Sequence, residues 1–170
     1  MNRPETNEFA PYYNTYISLV EGDTVIPVLD SQSAELRAIF SGVPEEKGTF
    51  AYAPGKWTIK EMLSHLIDGE RMFAYRILRI SRGDLTPIEG FEQDGYIENS
   101  NANNRPFDEL LKEFELQREA NLLMLNNISD EGSRRMGTAS EKQVSVRALA
   151  YIMAGHIQHH VDILKTRYLA

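Results

Sequence analysis

His156 and His160 stand four residues apart in the run Ala154-Gly155-His156-Ile157-Gln158-His159-His160, and His65 stands alone far upstream. A spacing of i and i+4 puts two imidazoles on one face of a helix, one turn apart. A third imidazole from an antiparallel neighbour completes a three-nitrogen site for one divalent cation, with coordination positions left for water or substrate. Two neutral imidazoles on an apolar face carry several polar groups into a poorly solvated place. A cation that takes one nitrogen from each ring removes that cost and leaves the other nitrogen for an outer partner. The chain has four histidines, so His159 is the competitor. His156 and His159 also share a face by the i,i+3 rule, and spacing alone does not separate the two pairings. His160 lies nearer the centre of the apolar arc, which favours His65, His156 and His160 as the ligands and puts His159 at the rim. The absence of cysteine leaves nitrogen and oxygen as the only donors and excludes a protein thiol nucleophile.

Helices must position these rings, and the sequence marks four long ones. Glu21-Gly22-Asp23-Thr24 reads as a turn, after which Val25, Val28, Leu29, Leu36, Ile39 and Phe40 form a helical stripe ending near Ser41-Gly42. The second helix has the clearest start. Thr58 and Glu61 form a capping-box pattern, with Trp57 and Met62 spaced as a hydrophobic staple. Its apolar face carries His65 with Met62, Leu66, Phe73, Ile77 and Ile80, and Gly83 is the expected stop. A third helix begins near Pro106 and runs to about Ile128. Ser145 is the expected N-cap of the last helix, which runs to about Tyr168 with His156 and His160 inside its buried arc. Residues 84–105 form a long connection between the second and third helices. Lys142-Gln143-Val144 suits a brief extended piece without a sheet. The expected fold is all-α, a four-helix bundle.

A chain of 170 residues is most simply one domain, residues 1–170, able to bury a core without staples. A formal charge of −7 with dispersed basic residues speaks against nucleic acid as a partner. No run approaches the roughly 20 apolar residues a membrane span needs. The polar start, Met1-Asn2-Arg3-Pro4-Glu5, lacks a secretory h-region. The expected partner is a small-molecule substrate, and the expected location is cytoplasmic.

Three stretches together carry a family resemblance. Tyr12-Tyr13-Asn14-Thr15-Tyr16-Ile17 lies near the start, and Pro54-Gly55-Lys56-Trp57-Thr58-Ile59-Lys60-Glu61 leads into the helix with His65. Val144-Ser145-Val146-Arg147-Ala148-Leu149-Ala150-Tyr151 leads to Ala154-Gly155-His156 and His160. The chain resembles the DinB/YfiT-like metalloprotein superfamily over nearly its whole length. The resemblance implies a four-helix bundle with a three-histidine site for a divalent metal ion, commonly zinc or nickel, and a homodimer. By position, its ligands fall on His65, His156 and His160. Some members are enzymes that use low-molecular-weight thiols, such as bacillithiol S-transferases and mycothiol-dependent isomerases.

Three neutral ligands leave the double charge of a cation uncompensated, which lowers the pKa of a bound thiol or water. The leading expectation is therefore thiol S-transfer, with the sulfur brought by a cofactor or substrate. Hydrolysis of an ester or amide, and a non-catalytic metal-stabilised binding module, are the alternatives. Helpers are read from position alone. Asp68, three residues after His65, is placed to orient an imidazole or accept a proton, or is a solvated helix carboxylate. Arg76, on the same face three turns along, suits an anionic substrate or, more simply, a structural ion pair. Tyr12, Tyr13 and Tyr16 are candidates for a pocket wall or for core packing. The loop with Phe91, Gln93, Asp94 and Tyr96 is a candidate lid over the metal, a dimer contact or a mobile segment.

Overall fold

Thr58 accepts a hydrogen bond from the Glu61 amide while the Glu61 side chain accepts from the Thr58 amide, so the capping box starts the longest helix of the chain where the sequence marks it. The computed structural model describes residues 1–170. After 3-10 turns at Thr6–Glu8 and Pro11–Tyr13, the order is α1 (Asn14–Ile17), α2 (Ile26–Ser41), α3 (Ile59–Ser81), α4 (Gln93–Glu98) and α5 (Phe107–Asn126), then α6 (Asp130–Ser133), strands β1 (Met136–Ala139) and β2 (Lys142–Ser145), and α7 (Val146–Ile163). A wider π turn, Leu164–Tyr168, carries the chain on from α7.

The long helices α2, α3, α5 and α7 make a four-membered ring. α3 packs on α5 and α7, and α2 packs on the same two. α2 and α3, consecutive in sequence, therefore lie diagonally across the bundle, and α3 and α7 are side by side. That adjacency lets His65 meet His156 and His160.

The interior is two apolar clusters. One joins Leu29, Ile77, Ile80, Leu125 and Leu149 with the N-terminal segment and the strands; the other joins Leu36, Leu63, Leu66, Phe114 and Ile157. A polar layer lies between them, built from all four long helices. Arg118 grips Glu70 side-on, with Nε and Nη2 each 2.8 Å from a carboxylate oxygen. Its Nη1 donates to the Leu29 carbonyl at 2.7 Å and to Gln32 Oε1 at 3.1 Å. Gln32 in turn donates to the Ala154 carbonyl of α7 at 2.8 Å, and Asn121 donates to Glu70. Arg118 and Glu70 are each only 1% exposed.

Ser145 caps α7 by accepting from the Ala148 amide at 3.0 Å, and its hydroxyl donates to Glu8 at 2.6 Å. Arg147 donates to the same carboxylate through Nε and Nη2. Burial alone would raise the Glu8 pKa, but the bonds from Arg147 and Ser145 outweigh it and hold the group at about 2, against an ordinary 4.5. The folded state thus binds this proton less readily than the unfolded chain. Its stabilising contribution, on the order of 3 kcal/mol, is fully present above pH 4.5 and is lost as pH falls toward 2. In denaturant titrations Glu8→Gln is expected to be less stable than the parent at pH 7, with the gap closing near pH 2. A gap independent of pH would contradict this anchoring role.

Three expectations need correction. Residues 136–145 form an antiparallel hairpin, with Met136 opposite Ser145 and Ala139 opposite Lys142, so the segment around Lys142-Gln143-Val144 does belong to a sheet. Its two-residue loop, Ser140-Glu141, has φ of 50° and 64°, the positive φ that tight hairpin loops require. The connection 84–105 is ordered rather than structureless: it contains α4, a 3-10 turn at Ala102–Asn104 and a parallel bridge from Ile88 to Ala139. Pro106 is the N-cap of α5 rather than its first helical residue. The other limits hold: α2 stops at Ser41, and Gly83 follows α3 with φ +83°. No helix is long and apolar enough to cross a membrane.

Candidate metal centre

α3 supplies His65 and α7 supplies His156 and His160, one turn apart as their spacing requires. The three rings form a nearly equilateral triangle, with centroids 4.8, 4.8 and 4.7 Å apart. One nitrogen from each lies within 4.8 Å of the others. His65 Nε2 and His156 Nε2 are 2.9 Å apart. A neutral imidazole pair accounts for that single contact by donating from one ring to the other; it does not account for the third ring turned toward the same centre. Three nitrogens disposed so closely fit a single cation whose metal–nitrogen bonds are about 2 Å.

The rings are kept in the form that a cation needs. Burial, with a smaller effect from the charge of His159, lowers His65 to about 4. Burial and the charges of His65 and His159 lower His160 to about 3. His156 falls well below its ordinary value, first from burial and then from its histidine neighbours. All three are therefore neutral at pH 7 with lone pairs available.

Aromatic groups and one missing side chain set the ring positions. Trp57 lies 4.6 Å from His65 and stacks at 6.4 Å on His160. Its carbonyl accepts from the Tyr168 hydroxyl at 2.6 Å, tying it to the C-terminal turn. Tyr16 stands edge-on to His156 and His159, and Phe73 stands edge-on to His156. Gly69, one turn after His65, leaves room for the His156 ring: a Cβ there would lie 3.0 Å from its Cε1. Trp57 had been read only as half of a helix staple. Its nearness to the capping box and its being the one tryptophan were the available signals.

Beside the triad lies a pocket of about 290 Å³, which shares His160 as a wall. Tyr52, Trp57 and Tyr168 line it with Met62 and Ile163, and Lys56, Gln93 and Asp94 supply its polar groups. Burial, with the nearby Tyr52 and Glu61, raises Tyr168 to about 12. Gln93 and Asp94 from α4 thus reach the same pocket as the triad. Phe91 and Tyr96 pack on each other instead.

The remaining helpers are placed differently. Asp68 makes no hydrogen bond to a histidine; it stands 3.6 Å from Arg71 and faces a separate recess with Glu92, Tyr96 and Asn99. Burial raises its pKa, partly offset by Arg71. Its position three residues after His65 turns it off the inward face. Arg76 has no ion pair, and its hydrogen bonds go to Ser140 and the Glu89 carbonyl. Of the tyrosines, Tyr16 is against the histidines, whereas Tyr12 is largely exposed and meets Tyr16 at the edge. His159 lies beside His160 but outside the converging nitrogens.

A bundle of four helices in which neighbours distant in sequence bring three imidazoles to one point defines a class of metal-binding scaffolds. The chain belongs to the DinB superfamily, whose family model matches residues 29–164. Among solved structures it is similar to YfiT from Bacillus subtilis, a probable metal-dependent hydrolase with an unusual four-helix bundle topology. The TM-score is 0.76 at 15% identity, over 89% of this chain and 94% of that one. It is also similar to the mycothiol-dependent maleylpyruvate isomerase, with a TM-score of 0.67 at 14% identity, over 81% of this chain but only 58% of the isomerase. No match is found among curated proteins. At these identities the likeness establishes the bundle and its topology.

Proposed function

We propose that this protein is a divalent-metal-dependent enzyme that transfers a small-molecule thiol to an electrophile, with zinc or nickel held by His65, His156 and His160. The observation that carries the reading is the triangle of buried, neutral imidazoles with a pocket opening at His160. When bound, the ion would lower the pKa of a thiol or water and favour its anion. The chain's own residues do the rest. Trp57 and Gly69 fix the ring positions, and the aromatic wall of Tyr52, Trp57 and Tyr168 holds an apolar body away from water. Asp94, the only carboxylate lining the pocket, is placed to take the proton that the thiol releases, and Lys56 to attract an anionic group. With no cysteine in the chain, the sulfur must come from outside.

Hydrolysis is the second reading, favoured by the similarity to YfiT; the same site and the same proton acceptor would serve an attacking water. In either reading the protein acts on a small molecule as a cytoplasmic homodimer, a state that light scattering would check. Untagged protein is expected to hold one divalent ion per chain. His65→Ala and His160→Ala are each expected to lose it while far-ultraviolet dichroism is retained. Unchanged stoichiometry in both variants would defeat the ligand assignment. Metal-loaded protein is then assayed with several small thiols against electrophiles, and with esters and amides. Metal-dependent consumption of thiol supports transfer, cleavage without thiol supports hydrolysis, and inertness toward all of them overturns the enzyme reading.

A further inference from the structure

Four basic side chains are buried: Lys60, Arg76, Arg118 and Arg147. Three have a carboxylate partner, in Glu45, Glu70 and Glu8 respectively. Arg76, 5% exposed, has none. Its Nη2 donates to Ser140 Oγ at 2.9 Å and to the Glu89 carbonyl at 3.3 Å, and its buried Nε has no partner. Nε and Nη2 form one edge of a guanidinium. Arg118 closes that same edge on Glu70, and Arg147 closes it on Glu8, each with a two-oxygen grip. On Arg76 the edge meets two neutral oxygens and nothing else. A buried cation so placed is costly, and a planar anion that accepts from both nitrogens offsets the cost.

The edge also faces somewhere. Ser140 and Glu89, the two residues it touches, line a cavity of about 620 Å³ between the hairpin and the preceding loop, together with Pro87, Ile88, Gly90 and Thr138. That volume suits a small organic molecule. Ser140 holds a left-handed conformation, φ 50°, that an L residue rarely adopts without compensation, and in it the hydroxyl reaches Arg76. The carboxylates of Glu89 and Glu141 border the same cavity. They disfavour a ligand of high negative charge and leave a monoanion as the best match. The site is about 16 Å along α3 from His65, taking 1.5 Å per residue, and does not depend on the metal reading.

We propose that Arg76 and Ser140 form a second binding site, for the carboxylate of a small organic monoacid. Arg76 grips the carboxylate side-on through Nε and Nη2, Ser140 donates its hydroxyl to the same group, and the hydrocarbon part of the ligand rests on Pro87 and Ile88.

The test is thermal unfolding and calorimetry on the full chain with acetate, benzoate and inorganic phosphate as probes. Benzoate is expected to bind saturably and to raise Tm by about 5–10 °C at a hundredfold excess over its Kd. Arg76→Met keeps the bulk but removes the charge. It is expected to be at least as stable as the parent without ligand, and to lose the benzoate response. Arg76→Lys, which keeps the charge without the planar edge, is expected to bind at least tenfold more weakly. Glu141→Gln is expected to bind more tightly. An Arg76→Met variant that is clearly destabilised, with a parent indifferent to every probe, would make Arg76 only a clasp between α3 and the hairpin and overturn the site. Phosphate binding as well as benzoate would overturn the carboxylate assignment.

Discussion

Arg118→Ala is expected to destabilise the protein by about 3–5 kcal/mol, a large part of the 5–15 kcal/mol that holds a typical domain together. The substitution would leave the Glu70 carboxylate in the interior with only Asn121 to donate to it. It would also remove the donor that Leu29 O and Gln32 Oε1 share. Losing a partner costs more than losing the pair. The double variant Arg118→Met, Glu70→Met fills similar volume with apolar groups and is expected to be near the parent in stability. Chemical denaturation of both variants measures the contrast. Equal destabilisation by the single and double substitutions would show that the layer contributes through net attraction rather than through mutual neutralisation.

Gly155→Ala is expected to cost about 3 kcal/mol or more, against the gain of about 1 kcal/mol that alanine ordinarily brings to a helix interior. A Cβ at this position would lie 2.0 Å from the Tyr16 carbonyl oxygen and 2.5 Å from its carbon. These are backbone atoms, so no rotamer change relieves the overlap; α1 has to separate from α7. Tyr16 would then move off the edges of His156 and His159. Hydrogen exchange at residues 14–18 is expected to accelerate along with the loss in Tm. A more stable variant would mean that α1 yields without cost, and that the close approach is not part of what holds the N-terminal segment in place.

The sequence was most legible where local chemistry decides structure. Thr58, Glu61 and Ser145 cap the helices that the sequence assigns to them, and the i,i+4 pair on α7 converges with His65. It was least legible where partners are distant or propensities are weak. Arg118 looks like a surface residue beside Glu119, because nothing local tells that Glu70 waits across the bundle. The hairpin was hidden because Met136-Gly137-Thr138-Ala139 has little β-branched character and Ser140-Glu141 lacks the glycine or asparagine that marks a tight loop. Asp68 misled for a geometric reason: three residues from His65 is near in angle, yet its carboxylate turns to Arg71. The Trp57 ring reaches His65 from the residue before the cap, a contact that helical periodicity does not describe.

The hydrogen bond from Gln32 to the Ala154 carbonyl acts on α7 two residues before His156. A screw motion of α7, which would swing His156 and His160 together, is resisted at the main chain as well as at the rings. The chelating geometry is thus inherited from the folded scaffold, and an arriving ion has little left to organise. Under the proposed reading, capture would resemble insertion into a rigid crown, with fast association and a small change in heat capacity.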